Sequence, residues 1–450
     1  MKKNRVLVIG AGLAGVDASY FLAQNGIEVV LLENKMLQKN PSQKLDGFAE
    51  LVCTNSLKSK DPSSAHGLLK TEMQHFNSLV VSCAYEASVP AGDALAVNRE
   101  DFSNLITSKI SEHENITVVQ KEGSDPLEHA KEYECDYTII ATGPLTTDKI
   151  SSWIQTELSQ DDFYFYDAIA PVVDAESLDY SKLYFKDRHK EIDESADYLN
   201  AAMNEEQYYE FIDAMVAAPK VEPKDFEEYK FFEACLPIDL MAERGRDTAR
   251  FSCMKPIGLG LAEQKRPFAV VQLRKENLLG SAFNLVGFQT RLKYPDQKRI
   301  FSMIPGFANA EFIHLGSVHR NSFLNARKLL NWDMSTQKYP NLYFAGQITG
   351  VEGYSESASS GLYVAVNLLK KIKDQEFKKW PVETAMGALI NYIMTSEKPA
   401  PSNINFGLLP TIKLNKEQRK DKKRKRIKKQ LAAARANEVF ADFVAQAGIN

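Results

Sequence analysis

The 450-residue chain is poor in cysteine: five occur, at positions 53, 83, 135, 235 and 253, with no regular spacing. So sparse a set excludes a disulfide frame and a CxxC-type zinc site, and it points to a reducing compartment, hence the cytoplasm. No metal site is expected. The chain also lacks any uninterrupted apolar run of the ~18 residues that a membrane helix needs, so no membrane partner is expected. Charge of one sign is not in excess: 55 Lys and Arg stand against 59 Asp and Glu, a net −4. A uniformly basic surface is therefore excluded. Internal repeats are missing, and so is low-complexity sequence before residue 413. With 44% hydrophobic and 25% charged residues the composition is that of an ordinary globular chain, neither disordered nor collagen-like. The length suits two or three domains.

What is there begins at the N-terminus. Lys2-Lys3-Asn4-Arg5 followed by VLVIGAGLAGV has the outline of a secretory signal, but spaced glycines break its apolar stretch. It reads instead as strand (Arg5 to Ile9), tight turn and helix (Ala14 to Asn25), followed by a second strand, IEVVLLE. Gly10-Ala11-Gly12-Leu13-Ala14-Gly15 is a GxGxxG motif, and Glu33 closes the next strand 18 residues after Gly15. Each part has a mechanical task. Gly10 permits the turn, Gly12 lets a pyrophosphate approach the backbone, and Gly15 lets helix and strand pack closely. The helix N-terminus offers free N–H groups to phosphate. Glu33 is placed to accept hydrogen bonds from a ribose. Together these predict a dinucleotide site.

Two further pieces share the same grammar of apolar strand, glycine turn and helix. YTIIATG ends in Ala141-Thr142-Gly143, and NLYFAGQITG carries Phe344-Ala345-Gly346-Gln347, with Gly350 and Gly353 following. After a Gly/Ser-rich loop, GLYVAVNLLKKIK reads as a helix. Both fingerprints favour FAD over NAD as the bound dinucleotide. A helix start beside Gly346 and Gln347 suits a flavin ring that gathers negative charge on reduction. The expected fold class is α/β: a discontinuous FAD-binding Rossmann-like domain with an inserted α+β domain. The boundaries are set at 1–150 and 331–412 for the two parts of the FAD domain and 151–330 for the insertion. The insertion carries the strand-like runs FAVVQLR and AFNLVGFQ.

Residues 413–450 form a basic tail. Between 413 and 435 there are 12 Lys or Arg against Glu417 and Asp421, leaving about −14 on the rest of the chain. Ile427, Leu431, Phe440 and Val444 recur at near-helical spacing, so one stripe could dock while the lysines face water. Alternatively Lys422, Lys423, Arg424, Lys425 and Arg426 form an arm for nucleic-acid phosphates.

Cys53 lies among polar residues in AELVCTNSL, and Cys235 lies beside an acid and two aromatics in FFEACLPI. For either, burial as a small apolar residue is the plain alternative. Cys83, Cys135 and Cys253 read as structural.

The chain resembles the folate- and FAD-dependent tRNA (uracil-5-)-methyltransferases. The resemblance rests on VIGAGLAG, FAELVCTNSLKS, SVPAGDALAV, TIIATGPLT, FFEACLPIDLMAERG, MKPIGL, NLVGFQTRLKYPDQK, HRNSF and FAGQITGVEGYSESASSGL, and it reaches to about residue 410. It implies that methylenetetrahydrofolate supplies a one-carbon unit, that FAD carries it with the electrons, and that NAD(P)H reduces the flavin. The product would be 5-methyluridine in structured RNA, with uridine 54 of the tRNA T loop the leading target. Neither DNA nor a membrane is implied as a partner. Cys235 matches the family's nucleophile and Cys53 its base for the C5 proton. His319 of HRNSF matches a histidine that stacks the folate, and Tyr354 an active-site tyrosine. Thiolate addition at C6 suits the chemistry, because it makes C5 of uracil nucleophilic and the sulfur can leave again. Lys255, Arg266 and Arg274 are candidates to activate Cys235. The chain departs from the family pattern at Thr54 and Lys58, at Ala201 where a cysteine is usual, and in its tail. A branch of the family acts on 23S rRNA, which stands as the alternative target, and a small-molecule NAD(P)H flavin oxidoreductase is a third reading.

Overall fold

The computed structural model describes residues 4–448 except 41, 159–162, 169, 194–195, 222–235, 261–265, 277–279, 317 and 398–400. Cys235 lies outside the described residues. For 163–168 and 318–322 the backbone alone is described.

Five parallel strands form the central sheet in the order Leu342–Phe344, Tyr137–Ile140, Arg5–Ile9, Glu28–Glu33 and Ile116–Gln120. Successive side chains of a strand point to opposite faces, and both faces here are covered. Val6, Val8, Val29 and Leu31 join the large core beneath the helix Leu13–Gln24, while Leu7, Ile9, Val30 and Leu32 join a smaller cluster with Val119, Ala130, Tyr133 and Cys135. The chain leaves Arg5–Ile9 for one neighbour and returns later on its other side. That reversal opens a crevice beyond the carboxyl ends of the strands, where ligands of such sheets bind.

The helix Tyr354–Ile372 covers the same face and packs on Leu13–Gln24. A Cβ at Gly361 would overlap the carbonyl of Ala14, so the helices meet backbone to backbone. This helix starts at Tyr354, two turns before the GLYVAVNLLKKIK run. The stretch expected to be a loop is its buried first part. Ser355, Ser357, Ser359 and Ser360 are small enough for that close packing.

The inserted domain is a six-stranded antiparallel sheet, in the order Leu183–Phe185, Tyr198–Met203, Ala269–Lys275, Ala282–Leu285, Val172–Asp174 and Phe312–His314. Its own core includes Phe211, Phe283, Phe288 and Phe301. An antiparallel ribbon of Phe163–Ala168 and Val318–Phe323 lies between the two domains along the chain. The first core takes Ile150, Ile154 and Leu158 from the helix Asp148–Leu158 and resumes at Leu324, Leu330 and Met334. It therefore runs past residue 150 and returns before residue 331.

The tail ends in the helix Arg424–Ala447. Ala436, Phe440, Phe443 and Val444 dock into the first core, with the Phe440 ring edge-on to His75 at 5.5 Å and to Phe76 at 5.9 Å. The expected stripe is corrected at its start, since Leu431 is 36% exposed. Docking begins only at Ala432, and the residues from Lys422 to Arg426 are all exposed. Among the described residues no helix is long and apolar enough to cross a membrane.

Candidate active site between the two domains

The glycine loop has the form its sequence requires. Gly10 holds φ +103°, and a Cβ there would lie 2.7 Å from the Ala141 carbonyl oxygen. At Gly15 a Cβ would overlap the Gly10 carbonyl. At Gly12 it would find only one atom, 3.9 Å away, so this position is open on the protein side. Gly12 caps Leu13–Gln24 with no side chain bonded to the helix end, which leaves first-turn N–H groups for an anion. Glu33 is buried at the adjoining strand end. Its carboxylate accepts from the N–H groups of Ala11 at 2.6 Å, Asn34 at 2.8 Å and Lys35 at 2.8 Å. The carboxylate is thus fixed in orientation, with lone-pair capacity left for one more donor. This cradle fits a dinucleotide pyrophosphate and ribose.

The other fingerprints converge beside it. Ala141 donates its N–H to the Ile9 carbonyl at 2.8 Å, and Gly143 turns the chain at φ +72°. Thr142 Oγ1 bonds Thr146 Oγ1 at 2.7 Å. Gly346 (φ +83°) donates its N–H to Ser360 Oγ at 3.1 Å. Gly350 and Gly353 also have positive φ, and Gly353 begins Tyr354–Ile372 with no side-chain cap, a second open helix end.

A cavity of about 550 Å³ lies between the domains. The first domain contributes Cys53, Thr54, Lys58, Pro144, Gln347, Gly353, Tyr354 and Glu356; the inserted domain contributes Leu236, Cys253, Arg274 and Gln289. Cys53, Gln347, Gly353 and Tyr354 of the expected set therefore meet at one site. The Tyr354 hydroxyl oxygen accepts from the N–H groups of Cys53 at 2.7 Å and Thr54 at 3.1 Å. Burial, reinforced by Cys53, holds its phenol well above the usual range, so it stays neutral. Arg99 donates to the carbonyls of Leu51 at 2.9 Å and Cys53 at 3.4 Å, and pairs with Glu276 of the inserted domain at 2.9 Å. Cys53 is thus held by its backbone from both sides, its residue 9% exposed, with a guanidinium nearby.

The same loop fastens the domains together. Arg274 donates through Nε to Asn55 Oδ1 at 2.9 Å and also to Thr54 Oγ1, while Asn55 donates to the Lys275 carbonyl at 3.1 Å. Of the three candidates to activate Cys235, Arg274 alone lines this cavity; Lys255 and Arg266 line a separate hollow on the inserted domain. Leu236, the residue after Cys235, is in the lining. His319 is placed only by its backbone, opposite Asp167 in the ribbon.

Cys253, read as structural, borders the cavity. Its thiol is pushed up to about 12 by burial, so it is no thiolate nucleophile. Nothing in FSCMKPIGL distinguished it, because one side of a short turn cannot be read from residue type. Glu356 was also missed. It is 1% exposed, with His66 Nδ1 at 3.2 Å and Lys58 Nζ at 4.0 Å. Burial opposes its charge, but Lys58 and His66 prevail and hold its carboxyl down to about 2.

The family described as Glucose inhibited division protein A matches residues 5–376. A methylenetetrahydrofolate--tRNA-(uracil-5-)-methyltransferase TrmFO of Persephonella marina is 46% identical over 440 residues, covering 97% of this chain and 99% of the relative. One of Aquifex aeolicus is 46% identical over 444 residues, covering 98% of this chain and 97% of the relative. In fold, the chain is similar to Aquifex aeolicus GidA in two crystal forms. TM-scores are 0.65 and 0.64 at 14% identity, covering 98% of this chain and 76% or 73% of that one. A glycine cradle of this form, a GidA-like fold and relatives matched end to end agree: the chain belongs to the Glucose inhibited division protein A family, on the side of its TrmFO members.

Proposed function

We propose that this chain forms 5-methyluridine in tRNA, at uridine 54 of the T loop, from methylenetetrahydrofolate, with bound FAD and with NAD(P)H as reductant. The observation that carries the reading is the meeting of Cys53 and Tyr354 with Pro144, which follows one dinucleotide fingerprint, and Gln347, which ends another, in one interdomain cavity. The names of the TrmFO relatives support tRNA as the RNA. The sparse, irregularly spaced cysteines suit the cytoplasm.

FAD held at Gly10, Gly12, Gly15 and Glu33 would carry the one-carbon unit and supply the electrons that complete it as a methyl group. The protein's part is to prepare the base. The Cys235 thiolate bonds to C6 of the extruded uracil, and the C5–C6 π pair moves toward C5 and O4. C5 then attacks the one-carbon unit. Cys53 takes the C5 proton, and the electron pair left at C5 breaks the bond between the one-carbon unit and its carrier nitrogen, leaving an exocyclic methylene on the base. A hydride, which reduced FAD would supply, completes the methyl group, and the pair it returns to the ring expels the Cys235 sulfur from C6. Tyr354 and Arg99 hold the Cys53 backbone in place, and Arg274 supplies positive charge at the wall next to the base. His319 is assigned to stacking the folate. The exposed Lys422 to Arg426 run contacts phosphates; Arg426 stands near enough to Asp61 to help lower its carboxyl, behind the larger effect of Ser63.

Trapping with tRNA carrying 5-fluorouridine tests the reading, because fluorine blocks loss from C5 and leaves the sulfur bound. A gel-stable adduct that disappears in Cys235→Ala is expected. No adduct with tRNA would overturn the tRNA assignment, and an adduct with 23S rRNA fragments alone would move the substrate there.

A further inference from the structure

A second hollow, of about 570 Å³, lies on the inserted domain. Its lining includes Arg250, Phe251, Lys255, Arg266 and Phe268, with Glu205 its only carboxylate among the described residues. Phe251 is 71% exposed, an unusual position for a phenylalanine with three cations around it. Lys255 and Arg266 are both exposed, and neither contributes to the interdomain cavity. The Arg250 guanidinium is already engaged. It lies 3.9 Å over the Phe268 ring and 5.3 Å from the centre of the Phe251 ring, donates to the Phe268 carbonyl at 3.0 Å and sits 3.9 Å from Asp247. It therefore stiffens the floor, and among the described residues no carboxylate is paired with Lys255 or Arg266.

The position of this hollow is what gives it meaning. Phe251 lines it, while the next two residues, Ser252 and Cys253, line the interdomain cavity. One short turn after the helix Thr248–Phe251 is the wall between the two. An RNA whose target uracil enters the interdomain cavity can lay a neighbouring nucleotide over that wall. An exposed aromatic ring with two exposed cations is the chemistry that receives an unstacked base and its phosphate.

We infer that the Phe251, Lys255 and Arg266 hollow holds a nucleotide flanking the target uridine, stacked on Phe251 with its phosphate between the two cations. The inference rests on the proposed RNA substrate and adds the residues that hold the strand open. Two independent features support it: ring exposure beside charge complementary to phosphate, and a wall shared with the reaction cavity.

The test uses the full flavin-loaded protein and an unmodified tRNA transcript. Phe251→Ala should raise KM for the transcript by about tenfold, as loss of one base stack does. Phe251→Trp should restore it. Lys255→Ala with Arg266→Ala should reduce the salt slope of RNA binding by roughly 0.7 for each single-strand phosphate lost. Oxidation of NADPH by the flavin without RNA should be unchanged in all three variants, which separates local contact from misfolding. An unchanged KM in Phe251→Ala, with wild-type protein methylating the transcript, would overturn the inference alone. Wild-type protein that methylates no transcript would instead overturn the function on which it rests.

Discussion

Two hollows of almost equal size, about 550 and about 570 Å³, lie on either side of the turn after Phe251, yet their walls differ. The interdomain hollow takes its polar groups already tied. Tyr354 holds the Cys53 and Thr54 N–H groups, Arg274 holds Asn55, and Glu356 is fixed by His66 and Lys58. The outer hollow shows an exposed ring and exposed cations. Pre-set polar groups suit a reaction centre, where every donor must already be in place. An exposed ring and long, mobile cations suit a strand of variable sequence. Chemistry and grip are thus divided between neighbouring walls.

The largest effect that sharpens this contrast is on turnover. Cys53→Ala should lower methylation about 10²- to 10⁴-fold, the usual contribution of a positioned base. It should leave the flavin spectrum and RNA affinity alone, whereas Phe251→Ala should change RNA affinity first. Equal damage to affinity by both variants would erase the distinction. Next comes the cradle. Gly12→Ala should keep its folded stability, because the protein leaves that position open, but should lose flavin absorbance on purification. Gly15→Ala should be destabilised by about 1–3 kcal/mol in denaturant melts, because its methyl meets the Gly10 carbonyl. Matching behaviour of the two variants would misplace the pyrophosphate.

A smaller effect concerns acid. Glu356 ionises near 2 in the folded chain against its ordinary 4.5. A depressed carboxyl contributes stability above pH 4.5 and loses it as pH falls from 4.5 through about 2. Glu356→Gln should therefore lower stability at neutral pH and flatten the acid limb in that window. The smallest effect is on the tail. Truncation after residue 412 should lower the salt slope of tRNA binding, by roughly 0.7–0.9 per lost phosphate contact. It also removes the docked Phe440, so substitution of Lys422, Lys423, Arg424, Lys425 and Arg426 by glutamine should reproduce the lower slope without loss of stability.

How legible all this was depended on sequence distance. The strand Arg5–Ile9 and the GxGxxG loop could be read because strand, turn and helix follow each other within thirty-odd residues and glycine has a specific mechanical reason at each place. The beginning of Tyr354–Ile372 was misread because serine and glycine favour loops locally, while tertiary packing on Ala14 selects them for size. The bonds from Arg274 to Thr54 and Asn55 span some 220 positions, and no local pattern signals them. The outer hollow escaped for a related reason: Phe251 looks like core by type, and only its 71% exposure reveals otherwise.

The most direct measurement is transfer of labelled carbon from methylenetetrahydrofolate to an unmodified tRNA transcript, with NADPH and the purified flavin-loaded chain. Label in the base of uridine 54, entering about 10²- to 10⁴-fold more slowly with a Cys53→Ala protein that still holds its flavin, is the predicted result. Label that persists undiminished in Cys53→Ala, or wild-type protein that transfers none, would contradict the account.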